Sequence, residues 1–158
     1  ISPVPVQQPL PLWVGGSSDA AIRRTARIAN GWIGGLQSPA QVAPVIKSIR
    51  FASHEIGRPI PDDHYGASFP FRFGHWQDPE VERAASAIGR VSAVGRPRPE
   101  DYFAIGDSHD IIRRIEEYAG AGVSKFVLRP IAEGDHEIME QTRMLAEMVL
   151  PAVHSAEV

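Results

Sequence analysis

A repeated punctuation constrains this chain more than anything else in it. A short, wholly apolar run is closed by two glycines, and a capped amphipathic segment follows. Leu12-Trp13-Val14 stops at Gly15-Gly16-Ser17-Ser18, and Trp32-Ile33 stops at Gly34-Gly35. Short runs with no polar face suit strands buried on both sides, as in parallel sheets. Between these runs Ile22, Ala26 and Ala29 recur at helical spacing, behind Ser17 or Ser18 as N-cap and ahead of an Asn30-Gly31 stop. Ser38-Pro39-Ala40-Gln41 opens a second helix with a capping-box pattern, and Val42, Val45, Ile46 and Ile49 form its stripe. Pro44 removes a backbone bond there and predicts a bend.

The alternation continues along the chain. His64 to Phe73 reads as a strand weakened by Pro70, and Asp78-Pro79 starts a third helix on Val81, Ala84 and Ala85. Gly95 to Gly106 reads as a loop. Ser108 is placed to cap a fourth helix on Ile111, Ile112 and Ile115, and Gly120-Ala121-Gly122 turns into the apolar strand Phe126-Val127-Leu128. Asp135 is placed to cap a last helix with Ile138, Leu145, Met148 and Val149 inward. Four strand–helix units predict βαβ crossovers and a parallel sheet. That leaves two architectures: a doubly wound sheet, or part of a (β/α)8 barrel, whose usual size is about 250 residues. No G-x-G-x-x-G follows the first strand, which argues against a dinucleotide-binding fold. The expected organisation is a linker over residues 1–11, one unit over 12–153 and a tail over 154–158.

Composition excludes several function classes. With 158 residues, one domain is expected, and the opening at Ile1 reads as the middle of a longer chain. A formal net charge of -3 speaks against wrapping nucleic acid. The chain has no cysteine, so thiolate metal sites and cysteine nucleophiles are out, and the six histidines lack metal-ligand spacing. No apolar run approaches the roughly 18 residues of a membrane span, and no signal peptide is visible, so a cytoplasmic protein is expected.

The chemistry-bearing positions sit where strands end. Gly15, Gly16, Ser17 and Ser18 let backbone approach a ligand at a helix N-terminus, which suits a phosphate; a plain capped turn is the competing reading. Gly34 and Gly35, with Leu36 and Gln37, form the equivalent loop after the next strand. Arg129 follows the last apolar strand and can hold an anion, or pair with Glu133 or Asp135. Phe71, Phe73 and Trp76 can line a substrate pocket, or can simply be core. His75 is a weak general-acid candidate. Arg23, Arg24 and Arg27 read as a solvated helix face.

Two segments carry a family resemblance. The run PLWVGGSSDAAIRRTARIANGWIGG, and the run YAGAGVSKFVLRP near the end, resemble the bacterial luciferase-like monooxygenases. The resemblance spans about Pro9 to Val153 and implies the C-terminal half of a TIM (β/α)8 barrel, four parallel strands alternating with helices. It implies an oxidoreductase using reduced FMN or coenzyme F420 for hydride transfer or oxygen activation on a small organic substrate. Gly15–Ser18 would then hold the cofactor phosphate at the C-terminal face. The FVLRP ending is closer to the deazaflavin-using branch. A lysine that some deazaflavin-dependent relatives place near the second loop has no counterpart, since the nearest is Lys47. The barrel's N-terminal half, or a second copy, is the expected partner. A naked apolar face with Trp13, Ile33 and Val127 is expected if four strands stand alone. The alternative is a non-catalytic half-barrel, or a pocketless member acting through self-association.

Overall fold

The computed structural model describes residues 6–90 and 98–154. The expected tail, the first five residues of the expected linker and the loop before Pro99 lie wholly or mostly outside the described residues. The elements run β1 (Trp13–Gly15), α1 (Asp19–Ile28), β2 (Gly31–Gly35), α2 (Pro39–Glu55), β3 (Tyr65–Phe73), α3 (Pro79–Arg90), β4 (Ala104–Gly106), α4 (Ser108–Gly120), β5 (Lys125–Pro130), α5 (Gly134–Met148) and α6 (Leu150–His154). Every strand pair is parallel, so all strand C-termini point to one rim.

The two faces of this sheet differ completely. Register places Trp32 beside Tyr65, Gly34 beside Ala67 and Phe126, and Phe69 beside Leu128. These side chains meet the buried stripes of the helices: Val42, Ile46 and Ile49 of α2, Val81 of α3, and Ile111 and Ile115 of α4. Phe69 stacks on Tyr118 with ring centroids 4.9 Å apart. Full burial of each such side chain contributes roughly 1.5–3 kcal/mol. The other face carries Trp13 and Gly31, then Ile33, Gly66 and Lys125, then Gly35, Ser68 and Val127, then Pro70 and Arg129. It is rich in glycine, and Val127 is 49% exposed on it. A doubly wound sheet would bury both faces under helices, whereas this α/β fold covers one.

Pro70 sits inside a central strand without breaking it. Tyr65 and Phe71 carbonyls accept from Ser124 and Ile131 on the β5 side, while Gly74 N–H donates to Gly106. Alternation therefore turns even-numbered residues of β3 toward the other edge. There β2 ends at the level of Ser68 and β4 begins at Phe71. Pro70, lacking an N–H, falls in the gap between the two partners. The segment read as a loop up to Gly106 thus contains β4, which β3 accommodates only because it outruns β2.

Caps differ from expectation in detail. Ser18 Oγ accepts from Ala21 N at 3.2 Å, as read from the sequence. For α4 the cap is Asp107, not Ser108: its Oδ1 accepts from His109 N (2.8 Å) and Asp110 N (3.1 Å). For α5 it is Glu133, not Asp135. The inward stripe of α5 is Gln141, Leu145 and Val149, while Ile138 and Met148 are exposed. Gln141 continues β3 with its amide: Oε1 accepts from Phe73 N at 2.7 Å and Nε2 donates to Phe73 O at 3.1 Å.

Candidate functional site

The turn after β1 is open. Gly15 through Ala20 are all exposed. Gly16 has φ 102°, a conformation that favours glycine, and a Cβ there would stand 3.0 Å from the Ala21 Cβ. Its carbonyl is fastened downward by the buried Trp32 indole, whose Nε1 donates to it at 2.9 Å. With that carbonyl tied, the exposed Ser17 and the first turn of α1 stand at the rim. Ser17 engages no partner among the described residues.

The turn after β2 is more tightly held. A Cβ on Gly34 would fall 2.7 Å from Trp32 Cη2, so this glycine serves packing over the indole. Gly35, on the open face, has nothing within 4 Å of a built Cβ. Leu36 takes φ 54°, and the Gln37 carbonyl accepts from Tyr118 Oη at 2.6 Å. Burial pushes the Tyr118 hydroxyl above its ordinary pKa and keeps it a donor. Ser38 N donates to Gln41 Oε1 at 3.2 Å, so the N-terminus of α2 is partly satisfied from within. The two loops, alike in sequence, offer a ligand different surfaces.

Arg129 lies at the same rim as Gly15–Ser18. Register levels Gly15 with Ile33, Gly66 and Lys125, and Arg129 stands further along β5 opposite Pro70. Arg129 is exposed and borders a cleft of about 510 Å³ with Pro70, Glu80, Arg83 and Glu133. Among the described residues it pairs with neither Glu133 nor Asp135; Glu133 instead meets Arg83 Nη2 at 2.6 Å.

The aromatic cluster packs against the helices and does not line the cleft beside Arg129. Phe71 is buried against the helices, and Phe73 packs edge-on to it at 6.2 Å. Trp76 stacks on Phe103 at 6.2 Å. Parity along β3 commits Phe71 and Phe73 to the helix layer, while Trp76 lies beyond the strand and is partly buried against the core. His75 is exposed in the turn that follows, where its backbone N–H donates to Asp78 Oδ2 at 3.0 Å.

Arg72 alternates to the opposite side and is the buried polar centre of the rim. Its guanidinium meets Asp78 at 2.9 Å, Glu80 at 3.3 Å and Glu137 at 2.8 Å, and Nη1 donates to Ile131 O at 2.7 Å. Burial opposes its charge, but the hydrogen bonds to Asp78 and Glu137 outweigh that and raise its pKa. Asp78 is held below the usual carboxylate range by the His75 N–H and then by Arg72. Glu137 is held low by the Glu133 N–H and then by Arg72. This knot ties the end of β3 to the first turns of α3 and α5. Asp78 and Glu80 lie close enough in sequence to signal it; Glu137, on a distant helix, does not.

A family model described as luciferase-like monooxygenase matches residues 1–99. Among solved structures, an F420-dependent secondary alcohol dehydrogenase, in complex with an F420-acetone adduct, is 14% identical with a TM-score of 0.66. The match covers 91% of this chain and 49% of that one. The coenzyme F420-dependent tetrahydromethanopterin reductase of Methanopyrus kandleri is 17% identical with a TM-score of 0.64, covering 90% and 51%. The monooxygenase RslO1 of Streptomyces bottropensis is 18% identical with a TM-score of 0.67, covering 93% and 50%. These likenesses show the fold, a half (β/α)8 barrel, and the chain spans about half the length of the structures it matches. No helix of the described residues is long and apolar enough to cross a membrane.

Proposed function

The chain belongs to the luciferase-like monooxygenase family, and from that premise we propose that it forms the C-terminal half of an oxidoreductase that holds a flavin-type cofactor at this rim. Coenzyme F420 is favoured over FMN by the Phe126–Pro130 run, FVLRP. When bound, the cofactor supplies the hydride or oxygen chemistry on a small organic substrate.

One observation carries this reading: an exposed, glycine-shaped turn at a helix N-terminus shares a rim with an unpaired arginine. Gly16 and Ser17, with the first turn of α1, offer N–H donors and positive potential to a phosphate. Arg129 adds a planar cationic fork. Gly35 leaves room on the open face, and Gly34 keeps Trp32 seated beneath both loops. Ser18 is spent on its cap and acts by fixing the start of α1. The open face bearing Trp13, Ile33 and Val127 would be the barrel interior, covered by the other half.

Fluorescence titration of F420 and of FMN against this chain and Arg129→Gln tests the proposal. F420 should bind more tightly than FMN, and the substitution should weaken it by about tenfold, the scale of one lost charged contact. Equal binding by the variant would remove Arg129 from the site.

The open face also favours a second reading, a half-barrel that self-associates without catalysis. β1 and β5 each pair on one side only, and the face between them is uncovered. Light scattering over a concentration series decides it: a monomer at all concentrations contradicts self-association.

A further inference from the structure

The outer surface of α1 and α2 carries a second feature, and the proposed cofactor role leaves its arginines unused. Arg23, Arg24 and Arg27 line a cleft of about 410 Å³ between α1 and α2. Its floor is apolar, made by Ala20, Ala26, Ala52 and Ile56. None of the three guanidinium groups meets a carboxylate among the described residues. Arg129 at the rim shares this state, whereas Arg50, Arg72, Arg83, Arg113 and Arg114 all engage acidic side chains. Arg58 is tied to the last carbonyls of α1, including Ala29 O at 2.5 Å. Among the described residues, three of the four arginines without a partner thus lie on one short helix of a chain whose net charge is -3.

The surroundings are those of a protein contact. Ile56 is 55% exposed on the cleft floor. Arginine side chains around a small apolar floor are a feature of interface centres. Arg23 and Arg27 are one helical turn apart, about 5–6 Å between Cβ atoms, which matches carboxylates at the same spacing on a facing segment. Three positive side chains within two turns of one helix are complementary to a short acidic stretch.

We propose that the α1–α2 cleft docks an acidic, amphipathic segment of a partner protein, its carboxylates on Arg23, Arg24 and Arg27 and an apolar side chain on Ala52 and Ile56. This is independent of the cofactor reading.

Fluorescence anisotropy with a labelled amphipathic peptide of Glu and Leu tests it on the whole chain. Saturable binding is expected, and it should weaken several-fold as salt is raised from about 0.05 to about 0.5 M. R23Q/R24Q/R27Q should lose at least about tenfold in affinity, while R113Q/R143Q, an alteration of arginines elsewhere, stays within about twofold. Ile56→Asp should abolish binding through the floor, and circular dichroism reports that each variant keeps its helices. The proposal is overturned if the peptide does not saturate or if the triple variant binds it equally well. It is also overturned if inorganic phosphate or phosphatidylglycerol vesicles engage the arginines while the peptide does not.

Discussion

Replacing Arg72 by methionine removes the cation shared by three carboxylates; of these, Glu80 keeps a second partner in Arg83, whose Nη2 stands 3.0 Å away. Arg72 is 8% exposed, and the Asp78, Glu80 and Glu137 side chains are 25%, 19% and 27% exposed. Methionine keeps much of the length but leaves those charges facing one another and the Ile131 carbonyl without its donor. Breaking a buried pair costs about 3–5 kcal/mol, and partial hydration of the carboxylates lowers this to roughly 2–3 kcal/mol. For a chain of this size that is a Tm drop of roughly 4–12 °C at pH 7. The pH dependence is the sharper test. Asp78 and Glu137 have lowered folded-state pKa values, so their stabilisation is complete above their ordinary values of 3.8 and 4.5 and is lost as pH falls below them. Without Arg72 only the His75 and Glu133 N–H groups still hold them low. Thermal unfolding followed by circular dichroism from pH 7 to pH 3 should show the gap between parent and variant narrowing with acid. A gap that stays constant over that range, or no gap at pH 7, would refute the assignment of this knot as the staple of the rim.

Trp32→Phe deletes the bond to the Gly16 carbonyl and leaves space under Gly34. It should cost roughly 1–2 kcal/mol and speed amide exchange at Ser17 and Ser18 more than in α4, measured by hydrogen exchange. Gly34→Ala drives a methyl into the indole and should cost roughly 1–3 kcal/mol in chemical denaturation, with an unchanged m-value. Gly35→Ala meets nothing and should stay within about 0.5 kcal/mol of the parent. If these two glycines respond alike, the packing account of the second loop is wrong.

Much of the architecture was legible because each local signal agreed with the others. The Gly-Gly stops, the Ser18 cap and the apolar stripes of α2 and α4 all specify parallel strands with crossover helices. Trp13, Ile33 and Val127 were readable as the open face, and the structure puts all three on one side of the sheet. What was not legible depended on register and distance. In Phe69-Pro70-Phe71-Arg72-Phe73, period two separates rings from arginine, but which set faces the helices is fixed only by pairing with β2 and β5. That is why Phe71 and Phe73 read as either pocket lining or core; pairing places Phe71 in the core with Phe73 partly buried against it. β4 is three residues long and exists because β3 extends past β2, a fact no local window contains. Arg72 with Glu137, and Gln141 with Phe73, join residues more than sixty positions apart. Asp107 and Ser108 are both able caps, and only the backbone geometry at that turn chooses between them.

The proposed cofactor site requires the exposed β1–α1 turn and Arg129 to act as one anion-binding rim. Amide chemical shifts of the labelled chain, followed while F420 is titrated in, read this directly. The expected result is a saturable set of shifts at Gly16, Ser17 and Asp19 together with the Arg129 side-chain Nε–H. Shifts confined to the opposite ends of the strands, around Asn30 and His64, would contradict it.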